Sequence, residues 1–103
     1  MYLNPAALTA RRPAPPLGLA YIAAALQRAG HDVSVIDAVA EAPTTHTPEG
    51  RVVRLGLSNA DVVDRIAPDT RAVGITNMWT FSWPAVRSMI QAIRARHPGI
   101  VIV

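Results

Sequence analysis

The run PPLGLAYIAAALQRAGHDVSVIDA, Pro15 to Ala38, constrains the fold more than any other stretch of the chain. Leu19, Ile22, Ala23 and Leu26 recur at i, i+3, i+4 and i+7, which places them on one face of a helix over Leu17–Ala29. The proline pair suits the start of that helix, where a missing N–H leaves no hydrogen bond unmade. Gly30 suits its end, where a left-handed residue closes off the last carbonyls. Asp32 to Asp37, DVSVID, follows at once with Val33, Val35 and Ile36, and reads as a buried strand of a parallel sheet.

The remainder repeats that alternation. Met1–Asn4, MYLN, reads as the end of a first strand, and Pro5–Pro16 as a long loop rich in proline and alanine, of the kind that often serves function. Ala38–Gly50 is polar and has no core stripe. Arg51–Leu57, RVVRLGL, reads as a short strand or an extended arm, so residues 38–57 form an insert or mobile loop within one domain of 103 residues. Ser58 begins a second helix, with Asp61 three residues on in a capping-box arrangement and Val62, Val63 and Ile66 as its apolar face. Ala72–Thr76 is a third strand. Pro84–Arg96 is a helix with Val86, Met89, Ile90 and Ile93 as its stripe, and Ile100–Val103 begins a fourth strand.

The order β-α-β-(insert)-α-β-α-β predicts an α/β fold: a doubly wound, flavodoxin-like (Rossmann-like) parallel sheet of order 2-1-3-4 in a three-layer α/β/α stack. Ligands of such sheets sit outside the carboxyl ends of the strands, at the switch between strands one and three. Asn4–Pro16, Asp37–Gly50 and Asn77–Trp83 are expected at that end. Gly30-His31, Asp69–Arg71 and His97–Gly99 are expected at the other.

Composition removes several functions. With no cysteine, the chain carries no disulfide, zinc-thiolate site or iron–sulfur cluster of its own, and the absence fits a reducing, cytoplasmic setting. The net charge is +3 and all ten basic residues are arginine, but they are scattered and not interleaved with aromatics, so no nucleic-acid footprint emerges. Arg11-Arg12 before an apolar run imitates a twin-arginine signal, yet PAPP interrupts it and the run ends as a helix ends. Nothing is long enough to span a membrane. No GxGxxG follows the first strand and no GxxxxGK[ST] is present, which removes the usual phosphate grips. Asn4 and Asn77 stand where a phospho-acceptor receiver domain would want acids. His31, His46 and His97 read as surface or capping residues, and no serine has a nucleophile-elbow context.

The aromatic residues are unevenly placed. The chain has five, and Trp79, Phe81 and Trp83 fall within five positions of the loop NMWTFSW after strand three. Alternate spacing lets them line an apolar platform, with Thr76, Asn77, Thr80 and Ser82 supplying short polar groups. A large, flat, partly polar ligand suits that pattern. Packing beneath another part of the protein is the competing explanation for Trp79 and Trp83.

NP…PPLGLAYIAAALQRAGHDVSVIDA followed by IAPDTRAVGITNMWTFSWPAVRSMIQAIRARHPGIVIV resembles the N-terminal cobalamin-binding domain of cobalamin-dependent radical S-adenosylmethionine (SAM) enzymes. The resemblance covers nearly all of the chain outside the insert. It implies a fragment of a longer protein, incomplete at its carboxyl end, with a following radical SAM barrel that carries the S-adenosylmethionine and a [4Fe-4S] cluster. It also implies a methyl-transferring parent.

For this chain the resemblance implies a corrin ring across the carboxyl ends of the strands. Asn77, Met78, Trp79, Thr80, Phe81 and Ser82 would approach its lower face, with Thr76, Thr80 and Ser82 bonding its amide side chains. Asn4, Pro5, Pro16, Leu17 and Gly18 would flank it, and Asp37 would lie at the end of strand two. Cobalamin proteins of this fold that ligate cobalt through histidine carry D-x-H-x-x-G after strand one. NPAALTARRP has no histidine, so cobalamin would be held base-off without a histidine lower ligand, and Trp79 would keep water away. The fourth strand would be an exposed edge, open to self-association. Two other readings stand beside this one: the N-terminal half of a GT-B glycosyltransferase, which also opens with a proline-rich turn, a helix and an AGHDV strand, and a non-catalytic interaction module.

Overall fold

The computed structural model describes residues 2–3, 15–78 and 80–103. They form a mixed α/β structure with two small sheets. One has three strands and the other two.

Helix α1, Leu17–Arg28, forms where the apolar period places it. Its first turn is closed by Leu17 N–H donating to Pro15 O (2.9 Å) and Ala20 N–H to Pro16 O (3.1 Å). Gly30 takes φ +91°, and Gly30 N–H to Gln27 O with His31 N–H to Leu26 O make the paired bonds of a Schellman stop. Packing departs from the expected stripe. Leu19 and Ala23 are half-buried, while Ile22 and Leu26 are exposed, as are Leu17 and Tyr21, and no residue of α1 is buried.

The strand expected over Asp32–Asp37 does not form. The segment runs without a strand ladder into α2, Ala38–Glu41, which Asp37 caps. The reason lies in the segment read as an insert. His46–Glu49 (β2) and Val52–Leu55 (β3) make an antiparallel hairpin, with His46 opposite Leu55 and Glu49 opposite Val52. Its two-residue turn places Gly50, φ +63°, at the first central position, as a type II′ turn requires. Pro48 is tolerated because β2 is an edge strand. The free side of β3 then takes Tyr2–Leu3 (β1), with Tyr2 opposite Arg54 and Leu3 opposite Val53. The chain's first strand is thus paired with β3 in antiparallel fashion, not with Asp32–Asp37 in parallel. Among the described residues the order 2-1-3-4 and its three-layer stack are not formed. No residue of Ala38–Gly50 is buried, and the core residues Val53, Leu55 and Leu57 come from Arg51–Leu57, the stretch expected as a short strand or arm.

Gly56, φ +108°, joins the hairpin to α2. Its N–H donates to Thr45 O (3.0 Å), Leu57 N–H donates to Ala38 O (2.8 Å), and a Cβ at Gly56 would collide with the Ala38 carbonyl.

The second half follows the sequence closely. Helix α3, Asn59–Asp64, starts at a full capping box: Asp61 N–H donates to Ser58 Oγ (3.1 Å), and Ser58 N–H donates to Asp61 Oδ2 (3.3 Å). Ala72–Val73 (β4) and Val101–Ile102 (β5) pair in parallel, and bonds from Val101 N–H to Arg71 O, Val103 N–H to Val73 O and Ile75 N–H to Val103 O extend the pairing. Between them runs α4, Trp83–Arg96. Its stripe Val86, Met89 and Ile90 is half-buried and Ile93 fully buried. Val63, Ile66, Ile93 and Ile100 form the core cluster, and Ile36, Val73, Ile75, Met89 and Ile102 pack on it. The predicted β-α-β unit over Ala72–Val103 is therefore present, with α3 against α4.

Candidate functional site

Exposed apolar and polar side chains gather at the carboxyl end of β4. Ile75 is the last residue tied to the ladder, through Val103 O at 2.9 Å. Thr76, Asn77 and Met78 then leave the sheet exposed. A single 3₁₀ turn, Thr80–Ser82, leads into α4. Met78 is 79% exposed, Phe81 69% and Trp83 48%, so three large apolar side chains stand in water within six residues. Such a concentration is uncommon on a surface with nothing to bind. Thr76 and Thr80, also exposed, place hydroxyls among them.

One hydrogen bond organises this loop. Ser82 Oγ donates to Asn77 Oδ1 over 2.6 Å, tying the residue that leaves the sheet to the residue that opens the helix. Ser82 is the N-cap of α4, yet its side chain does not cap that helix.

The other expected site residues are placed differently. Asp37 is half-buried, and its Oδ1 accepts from Val39 N–H (3.2 Å) and Ala40 N–H (3.0 Å), so it holds the start of α2. Pro16 is the N-cap of α1, with Leu17 and Gly18 exposed in its first turn, and the bonds of that turn are local. Asn4, Pro5 and Trp79 lie outside the described residues. The structure places Thr76, Asn77, Met78, Thr80, Phe81 and Ser82 along one loop, with Trp83 of the expected aromatic platform opening α4. The loop's described residues from Thr76 to Phe81 are exposed, and two concavities elsewhere lie between α3 and α4 (Ala60, Val63, Ala92) and beside Thr70, Arg71 and His97.

No histidine lies in that loop. His31 precedes the Asp32–Asp37 segment, His46 starts β2, and His97 ends α4 ahead of β5. Among the described residues no cluster of histidine and carboxylate side chains could hold a metal ion.

Away from the loop, a polar relay ties the hairpin to both core helices. Arg54 is buried in β3, with Nε 2.9 Å from Glu49 Oε1 and Nη1 donating to Asn59 Oδ1 (2.9 Å). Asn59 Nδ2 donates in turn to Ser88 Oγ on α4 (2.8 Å). Sequence reading missed this relay. Its one signal was an arginine within VVRL, where a strand would otherwise be apolar.

Residues 4–103 match the family model described as the B12 binding domain. This chain belongs to the B12-binding domain family. Membership decides between the readings that sequence left open, in favour of cobalamin over the glycosyltransferase half or a plain interaction module. The chain is also 36% identical over 90 residues to the cytidylyl-2-hydroxyethylphosphonate methyltransferase of Streptomyces wedmorensis, a match that takes in 78% of this chain and 16% of that protein. It thus spans about a sixth of the length of that relative. No solved structure matches it. The loop after β4 fits a cobalamin in kind. Its exposed apolar side chains suit a broad ring, and its hydroxyl and amide groups suit a rim of carboxamides. No described helix of this B12-binding domain is long and apolar enough to cross a membrane.

Proposed function

We propose that this chain is the cobalamin-binding module of a larger methyl-transferring enzyme, and that it holds the corrin on the Thr76–Ser82 loop with no imidazole beneath the metal. The observation that carries this is the family match over residues 4–103, in a chain whose three histidines all lie outside that loop. When bound, cobalamin supplies a cobalt centre able to take up a methyl group and pass it on.

The chain's own residues bind, orient and exclude water. Met78 and Phe81, with Trp79 between them in sequence, cover the lower face and keep solvent from it. Thr76 and Thr80 bond the ring's amide side chains through their hydroxyls. Asn77 and Ser82 set the shape of the loop. On this reading Asn4, Pro5, Pro16, Leu17, Gly18 and Asp37 would flank the ring, Pro16 and Asp37 doing so from the helix starts that they cap. The relative's name supports methyl transfer as the reaction of the parent. The parent reading includes a radical SAM barrel with S-adenosylmethionine and a [4Fe-4S] cluster, whose cysteine ligands would lie outside these residues because none is present here. Val101 of β5 and Val103 just after it are exposed, which supports self-association along that edge.

The test is to add hydroxocobalamin to the purified chain, desalt it, and record the visible spectrum. Retained corrin with a base-off spectrum is expected, and the Co(II) form should lack nitrogen superhyperfine splitting by electron paramagnetic resonance. A well-folded chain that retains no corrin, or a clear nitrogen lower ligand, would overturn the reading.

A further inference from the structure

Ser82 stands at the N-cap of α4, where a serine ordinarily accepts a hydrogen bond from the N–H two or three residues on. The residue two places on is Pro84, which has no N–H, so one of the two usual donors is missing. The hydroxyl turns to the loop and donates to Asn77 Oδ1 at 2.6 Å. That choice fixes the polarity of Asn77. A primary amide has one acceptor oxygen and one donor nitrogen, and engaging the oxygen leaves the nitrogen to face outward. Asn77 is exposed at the carboxyl end of β4, and among the described residues nothing accepts from its Nδ2.

We infer that Asn77 is an oriented hydrogen-bond donor of the cobalamin platform, selecting an acceptor oxygen such as a corrin carboxamide carbonyl, and that Ser82 is the positioning residue that holds it in that orientation. This rests on the cobalamin reading and sharpens it, because the two residues do not contact the ligand alike. Asn77 touches it, and Ser82 acts through Asn77. An amide not held by Ser82 would rotate and offer oxygen and nitrogen equally, so part of the binding free energy would go into ordering it.

The experiment titrates the full chain with hydroxocobalamin, following visible absorbance and tryptophan emission, for wild type, N77D, N77A, S82A, S82T and the N77A/S82A pair. N77D keeps an acceptor for Ser82 but has no donor for the ligand. It should therefore weaken binding about tenfold, as N77A does. S82A should weaken binding about threefold, S82T should restore it, and S82A should add nothing once Asn77 is gone. Without ligand, S82A should shift the Asn77 side-chain amide resonances. N77D binding as tightly as wild type would overturn the donor assignment. A full S82A loss on the N77A background would overturn the positioning role. Failure of wild type itself to bind would instead remove the cobalamin reading, and this assignment with it.

Discussion

Arg54 and Asn59 are joined side chain to side chain, the guanidinium Nη1 donating to the amide Oδ1 over 2.9 Å. The bond links the central strand of the antiparallel sheet to the first residue of α3, and Asn59 carries it on to Ser88 of α4. Arg54 is the one buried charged residue among the described residues, and Glu49 beside it is only partly shielded from water. Arg54→Ala removes the donor, and leaves Asn59 and Glu49 facing a void. A loss of about 2 kcal/mol is expected, less than for a fully buried ion pair because Glu49 can rehydrate. Urea unfolding checks it, with the midpoint falling and the slope unchanged. An unchanged midpoint would show that the relay does not stabilise the fold.

Gly56 and Gly50 both have positive φ, but only Gly56 faces backbone at close range. Gly50→Ala should cost about 1 kcal/mol, the lower end of the penalty for a side chain at a positive-φ turn position that favours glycine. Gly56→Ala should cost about 2 kcal/mol or more, since the Ala38 carbonyl must also move. Equal shifts in Tm for the two variants would mean the hairpin joint yields freely.

Asp61 gives the fold one acid-sensitive element. The Ser58 hydroxyl donates to its carboxylate over 2.7 Å, the Ser58 N–H adds a second bond, and Arg65 lies nearby; together they hold its pKa below the ordinary value of 3.8. A depressed folded-state pKa means the folded form binds its proton later than the unfolded one. The stabilisation is therefore complete above the ordinary value, and is lost as pH falls through the lowered one. Wild type should exceed Asp61→Asn by a constant margin from about pH 7 to about pH 5. The margin should close in stronger acid. Urea midpoints measured across that range test it, and a margin that widens on acidification would contradict the capping-box account.

Ile93 and Leu26 occupy equivalent stripe positions in sequence but opposite environments. Ile93 is 1% exposed and Leu26 41%. Ile93→Ala should cost about 3 kcal/mol, the usual result of emptying a packed core site. Leu26→Ala should change stability by less than about 0.5 kcal/mol. Comparable losses would mean that α1 is packed in solution.

Phe81 and the histidines separate platform from ligation. Phe81→Ala should weaken hydroxocobalamin binding several-fold by removing apolar cover. Alanine at His31, His46 or His97 should leave the visible spectrum of bound cobalamin unchanged. A histidine variant that alters that spectrum would identify a lower ligand and refute the histidine-free site.

The helices α1, α3 and α4, with their ends at Gly30, Ser58 and His97, were legible because their causes are local, and the parallel pair β4-β5 because a strand–helix–strand alternation implies it. A capping box spans four residues, a Schellman stop six, and a helical stripe repeats every turn. The aromatic loop was legible too, since Trp79, Phe81 and Trp83 crowd together whatever the fold. What stayed hidden were side-chain contacts set by distance through space, including the Ser82–Asn77 bond and the burial of Arg54.

The sequence by itself determined where α1, α3 and α4 start and stop, that an aromatic loop follows β4, and that this loop holds no histidine and the chain no cysteine. Only the tertiary structure decided which extended segments pair. Asp32–Asp37 and Val52–Leu55 are both apolar enough to be strands, and β3 alone gained partners on both sides. A strand's hydrogen bonds are made to another segment, so its own residues supply the capacity to pair while the packing of the whole chain selects the partner.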